Sequence, residues 1–221
     1  MTLAVTAPIE QPPPTKPIVL RGISWDAYEA LRNDLDAANQ KMYLTYDDGA
    51  LEIMPPSPFH ERGKTLLGRF IEIMSLDLNI PVYGLGSTTF KRRDLKKGLE
   101  PDECYYVQHE PLMGSRTEID LQQDPPPDLA LEMDYTHHAV NRPSVYAALG
   151  VPEVWQFDGT RLRGVRRTDA GTYEPITTSI AFPFLKLEDV ERFLIQAQSK
   201  SQHEAVVAFR DWVRRTHGRK A

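Results

Sequence analysis

Apolar residues recur along this chain at two different spacings, and each change of spacing marks the end of one element and the start of another. Behind Ser24, a residue suited to cap a helix, Tyr28, Leu31, Leu35 and Ala38 keep helical spacing. From Lys41 to Met54 the period drops to two. Met42, Leu44 and Tyr46 alternate on one arm, Asp47-Asp48-Gly49 supplies a turn, and Leu51 and Ile53 return, which predicts a hairpin. Ser57-Pro58 starts a second helix with a broad stripe of Leu66, Leu67, Phe70, Ile71, Met74 and Leu78. Ile80 to Phe90 is expected to be extended, interrupted by Gly84 and Gly86, and the basic residues after it to form a loop. Glu100 to Val107 has the aromatic and β-branched content of a strand.

The most informative stretch runs from Pro127 to Asp158, PDLALEMDYTHHAVNRPSVYAALGVPEVWQFD. In an extended chain Leu129, Leu131 and Met133 fall on one face, and Asp128, Ala130, Glu132 and Asp134 on the other. Carboxylates gathered on one face repel one another, and a bound cation would relieve that repulsion. A helix follows, with Pro143 early and Gly150 just past its end, and Val151 to Phe157 is a second apolar run. Strand, helix and strand make a βαβ unit with parallel strands. Asp158-Gly159 then turns into Arg161 to Val165, and Tyr173 to Ile176 adds an edge strand. Helices are expected at about Leu187 to Ala197 and Glu204 to Arg215. The order predicts an α/β fold with a mixed central sheet flanked by helices. Residues 1 to 20 are proline-rich and read as a flexible tail, leaving 21–221 as one domain with C-terminal helices.

Composition narrows this little. The chain has 221 residues, 41% hydrophobic and 26% charged, which suits one globular domain. A formal charge of −5 argues against a nucleic-acid packaging protein. Basic residues nevertheless gather at Lys91-Arg92-Arg93 with Lys96-Lys97, from Arg161 to Arg167, and from Arg210 to Lys220. Such runs are commonly solvated surface, and together they also suit a phosphate-facing surface. Cys104 is the only cysteine, so neither an intrachain disulfide nor a cysteine-rich zinc site can form. No apolar run reaches the length of a membrane span and no signal peptide is evident, so a cytoplasmic location is expected.

The candidate chemistry lies in the acids. Asp102 starts one strand, on the side of Cys104 and Tyr106, and Glu132 lies in another. Neighbouring strands are about 4.8 Å apart, so two carboxylates on one face can share a cation. Glu61, in the first turn of the second helix, can complete the shell or simply stabilise the helix end.

A helix Glu, then Pro-Asp, then a strand ending (Asp/Glu)-x-Lys is the pattern of the PD-(D/E)XK restriction-endonuclease-like superfamily. More narrowly, GLEPDECYYV, PPDLALEMD and YAALGVPEVWQFDG resemble the Uma-type restriction endonuclease family, and the resemblance runs from about Ser24 to Trp212. It implies a restriction-endonuclease-like fold, a nuclease core dependent on Mg²⁺ or Mn²⁺, and DNA as the partner. It also implies Asp102 and Glu132 as metal ligands, with Glu61 as the supporting acid. A restriction-type cutter of double strands is often a two-fold homodimer.

Two positions depart from the pattern. Asp134 stands where the superfamily has lysine, so the motif reads Glu132-Met133-Asp134. The basic residue that relatives carry on the following helix corresponds to Arg142, four before Tyr146. Arginine can hold a pentavalent phosphate but cannot act as a base, so the role implied for Arg142 is charge stabilisation and water positioning, with metal hydroxide as the base. Asp134 is alternatively a further metal ligand that favours a second ion. His137 and His138 follow the strand and can take a proton near neutral pH, with exposed loop residues as the plainer reading. Tyr146, Trp155 and Phe157 are expected in the core, Tyr146 alternatively at the site, and Gln156 faces the other way, toward a cleft. Besides a nuclease, the residues allow a catalytically degenerate module that binds DNA or protein, and, more weakly, a two-carboxylate glycosidase.

Overall fold

Chain order is set by short elements whose ends carry their own stop signals. The computed structural model describes residues 16–134 and 138–218. It opens on β1 (Ile18–Arg21), so the tail expected to reach residue 20 gives up its last residues to a strand; residues 1–15 lie outside the described chain. Next come α1 (Trp25–Ala37), β2 (Tyr43–Asp47) and β3 (Ala50–Met54). Ser24 caps α1 by accepting from the Ala27 N–H at 3.2 Å. Asp48 and Gly49 take φ of 40° and 93°, the positive pair that a tight hairpin turn requires. The 21-residue α2 (Pro58–Leu78) starts at the Ser57 cap.

After α2 the strands are short: β4 (Tyr83–Gly84), β5 (Phe90–Arg92), β6 (Lys97–Leu99) and β7 (Glu103–Tyr106). The basic stretch expected to be a loop is thus a β5–β6 hairpin, with Lys91 paired to Gly98 and Arg92 to Lys97. Its polar surface hid the pairing, because only Phe90 and Leu99 of this hairpin point into a core. A one-turn helix, α3 (Glu110–Met113), was not expected. The predicted βαβ unit is present as β8 (Leu129–Met133), α4 (Arg142–Leu149) and β9 (Glu153–Phe157). It is followed by β10 (Leu162–Arg167), β11 (Tyr173–Ile176), α5 (Leu187–Ser199) and α6 (Gln202–His217).

The strands form two sheets where one was expected. An antiparallel sheet runs β1-β3-β2-β6-β5, and a mixed sheet runs β11-β10-β9-β8-β7-β4. In the mixed sheet β8 and β9 are parallel, and Gly150 ends the crossover helix in the left-handed conformation. The architecture remains the predicted α/β class and agrees with a restriction-endonuclease-like fold.

β8 is covered on both faces. Leu129, Leu131 and Met133 pack into a cluster with Leu67, Phe70 and Met74 of α2 and Phe193 and Phe209 of the last two helices. Ala130, on the other face, joins Val145, Tyr146 and Leu149 of α4 in a second cluster with Phe90, Leu99 and Cys104. This second cluster takes residues from both sheets, so α4 packs where they meet. The alternation in PDLALEMD therefore sorts side chains between two cores and not between core and solvent.

Glu153, at the start of β9, is fully buried and fastens the sheet to the following loop. Its carboxylate accepts from Trp155 Nε1 (2.6 Å), Ser179 Oγ (3.2 Å) and the N–H groups of Ile180 (2.9 Å) and Ala181 (2.7 Å). Removing the acceptor strands several buried donors at once. Glu153→Ala is therefore expected to cost roughly 3–5 kcal/mol in urea unfolding, with Glu153→Gln costing less because one oxygen remains to accept.

Candidate active site

The site begins with strand register. β7 and β8 pair antiparallel, Glu103 with Leu131 and Cys104 with Ala130, and one further step sets Asp102 opposite Glu132. On the other side of β8, the parallel register sets Glu132 beside Gln156 of β9. Asp102, Glu132 and Gln156 thus form a row across three strands, as side chains at matched positions share a face. Both acids are buried, at 3% and 5% exposure.

Different surroundings push the two carboxyls in opposite directions. Burial raises Asp102, but His60, the Met133 N–H at 2.6 Å and the Arg142 charge together carry it below the usual aspartate range. Glu132 is raised, chiefly by burial and further by the negative charge of Asp102, against the pull of Arg142. Two acids in one dry site with separated affinities for a proton is a pattern common at functional sites.

Arg142 opens α4 behind the Asn141 cap, and its guanidinium is buried among fixed partners. It donates to Thr45 Oγ1 (2.5 Å), to the Glu100 carbonyl (2.8 Å) and to Glu132 Oε1. Its Nε is buried with no hydrogen-bond partner among the described residues. One turn later the Tyr146 hydroxyl donates to the same Glu132 oxygen. Tyr146 is therefore both core and site, since its ring packs in the cluster beneath α4. Trp155 and Phe157 are buried in the opposite core, as expected.

Glu61 is placed differently from the sequence expectation. Its side chain is 39% exposed and faces the Tyr43 hydroxyl at 2.8 Å, Lys64 at 3.2 Å and Lys41 at 3.9 Å. Burial raises its carboxyl, but Tyr43 and the two lysines bring it below the usual glutamate range. The preceding residue is the one that turns inward: buried His60 sets Nδ1 3.9 Å from Asp102 Oδ2. The signal was available in the sequence. Followed backwards, the stripe of Met74, Ile71, Phe70 and Leu67 lands on Gly63 and His60, leaving Glu61 at its margin.

Among the described residues no group of three or more His, Cys, Asp or Glu side chains is placed to hold one metal ion. Glu61, Asp102 and Glu132 are therefore not gathered into one group, whereas register sets Asp102 and Glu132 opposite one another. Two carboxylates side by side still match the donor chemistry of Mg²⁺ or Mn²⁺, hard ions that take one or two carboxylates and complete their shell with water and phosphate. The residues fit such an ion as a two-carboxylate site.

In front of the row lies a cleft of about 420 Å³ lined by Glu132, Asp134, His138, Asn141, Arg142 and Gln156. Gln156 faces it as the alternation predicted. Asp134, the residue after β8, lines the cleft and donates its N–H to the Phe157 carbonyl at 2.9 Å. His137 lies outside the described residues. His138 lies within them, its Nδ1 2.6 Å from Glu52 Oε1. Glu52 was not anticipated, because nothing in the hairpin pattern ties β3 to a loop 86 residues later.

The basic runs are largely occupied by neighbouring acids. Lys91 and Arg93 meet Glu29, Lys97 meets Asp47, Arg166 meets Glu174, and Arg210 and Arg214 share Asp77. Among the described residues, no helix is long and apolar enough to cross a membrane.

A family model described as "Putative restriction endonuclease", that of the Uma2 family, matches residues 25–216 of the chain. No curated protein matches it.

Glu132 and Arg142 bear on stability with a definite sign. A glutamate whose folded pKa is raised contributes stability that is fully present below its unfolded value of roughly 4.3 and lost as the pH rises through the folded value. Taking away the guanidinium raises it further. Arg142→Ala is therefore expected to destabilise the fold by roughly 3–5 kcal/mol at pH 8, where Glu132 must either stay charged without its cation or be held protonated against the solvent. The penalty should shrink as the pH falls toward 5 and the carboxyl takes a proton. Urea unfolding at the two pH values measures it, and an equal loss at both would contradict the assignment.

Proposed function

Because the chain belongs to the Uma2 family, we propose that it is a metal-dependent endonuclease that hydrolyses phosphodiester bonds in DNA. The observation that carries this reading is the buried pair, Asp102 and Glu132, which the register of β7 and β8 sets opposite one another, with Glu132 lining an open cleft. They are the residues that would hold Mg²⁺ or Mn²⁺. Such an ion, when bound, offsets phosphate charge and makes a coordinated water more acidic.

The chain's own groups divide the remaining work. His60 and the Met133 N–H keep Asp102 ionised and fix its orientation. Tyr146 and Arg142 hold one oxygen of Glu132. Arg142 stays charged at any working pH and can stabilise the negative charge that builds on phosphate, because a guanidinium presents several donors in one plane. The Gln156 amide, beside Glu132 on the cleft wall, can both donate to and accept from a substrate. Asp134 adds a carboxylate at the same wall, which disfavours the approach of an anion unless a cation is present. Cutting both strands of a symmetric DNA site would call for two copies related by a two-fold axis.

One observation favours a second reading, a nuclease fold that binds DNA or protein without cutting. The guanidinium of Arg142 already neutralises Glu132, and most of the basic surface is engaged by acids.

Incubation with plasmid and oligonucleotide DNA over a range of Mg²⁺ and Mn²⁺ separates the two. The endonuclease reading expects metal-dependent nicking or cutting that falls by roughly 10²–10³-fold or more in Asp102→Asn and disappears in Glu132→Ala. Intact DNA under every metal and substrate would overturn it. A parent that is inert while Arg142→Lys gains cleavage would instead establish the binding-module reading.

A further inference from the structure

Hydrolysis by an attacking water releases a proton, and the pattern's lysine is not there to take it. Arg142, which holds the corresponding place on the helix, cannot. Asp102 and Glu132 are committed if they hold a cation. Of the groups that line the cleft, Asp134 and His138 remain.

Resting on the endonuclease reading above, we propose that His138 is the proton acceptor of this site and that Glu52, from the other sheet, is the residue that positions it. The imidazole is 14% exposed and the Glu52 carboxylate 2% exposed, with Nδ1 and Oε1 2.6 Å apart. Glu52 is itself fixed: its second oxygen accepts the N–H groups of Ala139 (2.6 Å) and Val140 (3.1 Å). Burial raises its carboxyl, but His138 and the two N–H groups lower it below the usual range, so it is ionised at neutral pH.

An ionised carboxylate only accepts hydrogen bonds, so the ring nitrogen that faces it carries the hydrogen. In the neutral ring the lone pair then falls on Nε2. A histidine held in one tautomer by a buried acid is the arrangement by which hydrolytic sites orient a base. Clamping the loop would need only the two backbone N–H groups; the imidazole contact goes beyond that. The charged groups around the ring are Glu52 from β3, Glu132 from β8, whose carboxyl responds to His138, and Asp134 and Arg142, which share the cleft.

The step balances without further reagents. The water oxygen forms its bond to phosphorus as one of its protons passes to Nε2, and the bond from phosphorus to the leaving sugar oxygen breaks. The leaving oxygen takes a proton from solvent water, and the hydroxide left behind is neutralised by the proton that His138 gives back. Glu52 stabilises the imidazolium in between.

The test compares the full chain with His138→Gln, His138→Ala and Glu52→Gln in Mg²⁺-dependent DNA cleavage from pH 5.5 to 8.5, with Glu132→Ala as the inactive reference. Loss of His138 should lower the rate about 10²–10⁴-fold and remove the acid limb of the pH profile, with DNA affinity unchanged. Glu52→Gln takes from the ring the negative charge that orients it, so its rate should fall while the rates of variants outside the site do not. Added imidazole should restore part of the rate to His138→Ala. Nitrogen NMR of the parent should show the ring of His138 protonated at Nδ1, and this should be lost in Glu52→Gln.

A parent that cuts DNA while the His138 variants match its rate and pH profile overturns this proposal and leaves the endonuclease standing. A ring protonated at Nε2 overturns the placement directly. A parent that cuts nothing removes the endonuclease reading, and the role of His138 with it.

Discussion

A carboxylate taken out of water must find a positive partner or a proton, and at Glu132 this fold supplies Arg142. The pair is costly on its own terms, because desolvating both ions offsets most of what their attraction returns. What it secures is position. The same guanidinium donates to Thr45 and to the Glu100 carbonyl, which belong to the antiparallel sheet side, while Glu132 belongs to the mixed sheet. One side chain therefore ties the start of α4 to both sheets. The apolar cluster beneath α4 does the same with Phe90 and Leu99 from one sheet and Ala130 and Val154 from the other.

The placement of the acids follows from that packing. A strand covered on both faces leaves no ordinary room for charge, and β8 admits it only at its C-terminal end, where Glu132 and Asp134 reach the cleft. Ala130 is small where α4 crosses, and Asp128, at the other end, is consumed by the Val107 and His109 N–H groups at 2.7 and 2.9 Å. The three carboxylates that alternate on one face of β8 thus do three separate jobs. Their mutual repulsion, suggested by the sequence, is relieved mainly by separation and by local donors. What repulsion persists is between Asp102 and Glu132, which come from different strands.

Local signals were legible and distant ones were not. The caps at Ser24 and Ser57, the Asp48-Gly49 turn and the βαβ unit each depend on neighbours within a few residues, and each was predicted within a few positions. That Asp102 and Glu132 stand in two recognisable strands was legible too, but that those strands are neighbours in this register was not, because strand pairing is set by packing distant in sequence. The split into two sheets was not, since edge strands of two to four residues carry too few side chains to show a period. The β5–β6 hairpin was hidden for a related reason: Lys91, Arg92 and Lys97 face solvent or acids, leaving little apolar alternation. Glu61 was preferred to His60 because a carboxylate suits both a metal and a helix N-terminus, while the continuation of the helix stripe favoured the histidine. Glu52 and His138 are brought together by tertiary packing alone.

On the endonuclease reading, an arginine serving in place of the motif's lysine would account for the number of supporting groups around the site. A lysine in a dry site can lose its proton, so one side chain can neutralise charge and also accept a proton. Arginine keeps its charge, and the two duties must separate. Arg142 fits the first duty closely: it is buried, planar and fixed by Thr45, Glu100 and Glu132. A proton acceptor then has to reach the cleft from elsewhere, and it has to do so without adding another negative charge to a site that already holds Asp102, Glu132 and Asp134. An imidazole meets that requirement, being neutral when it accepts and positive afterwards, when developing negative charge on phosphate most needs a cation nearby. Its own cation is offset by Glu52, which stands on the far side of the ring and so adds its charge away from the cleft.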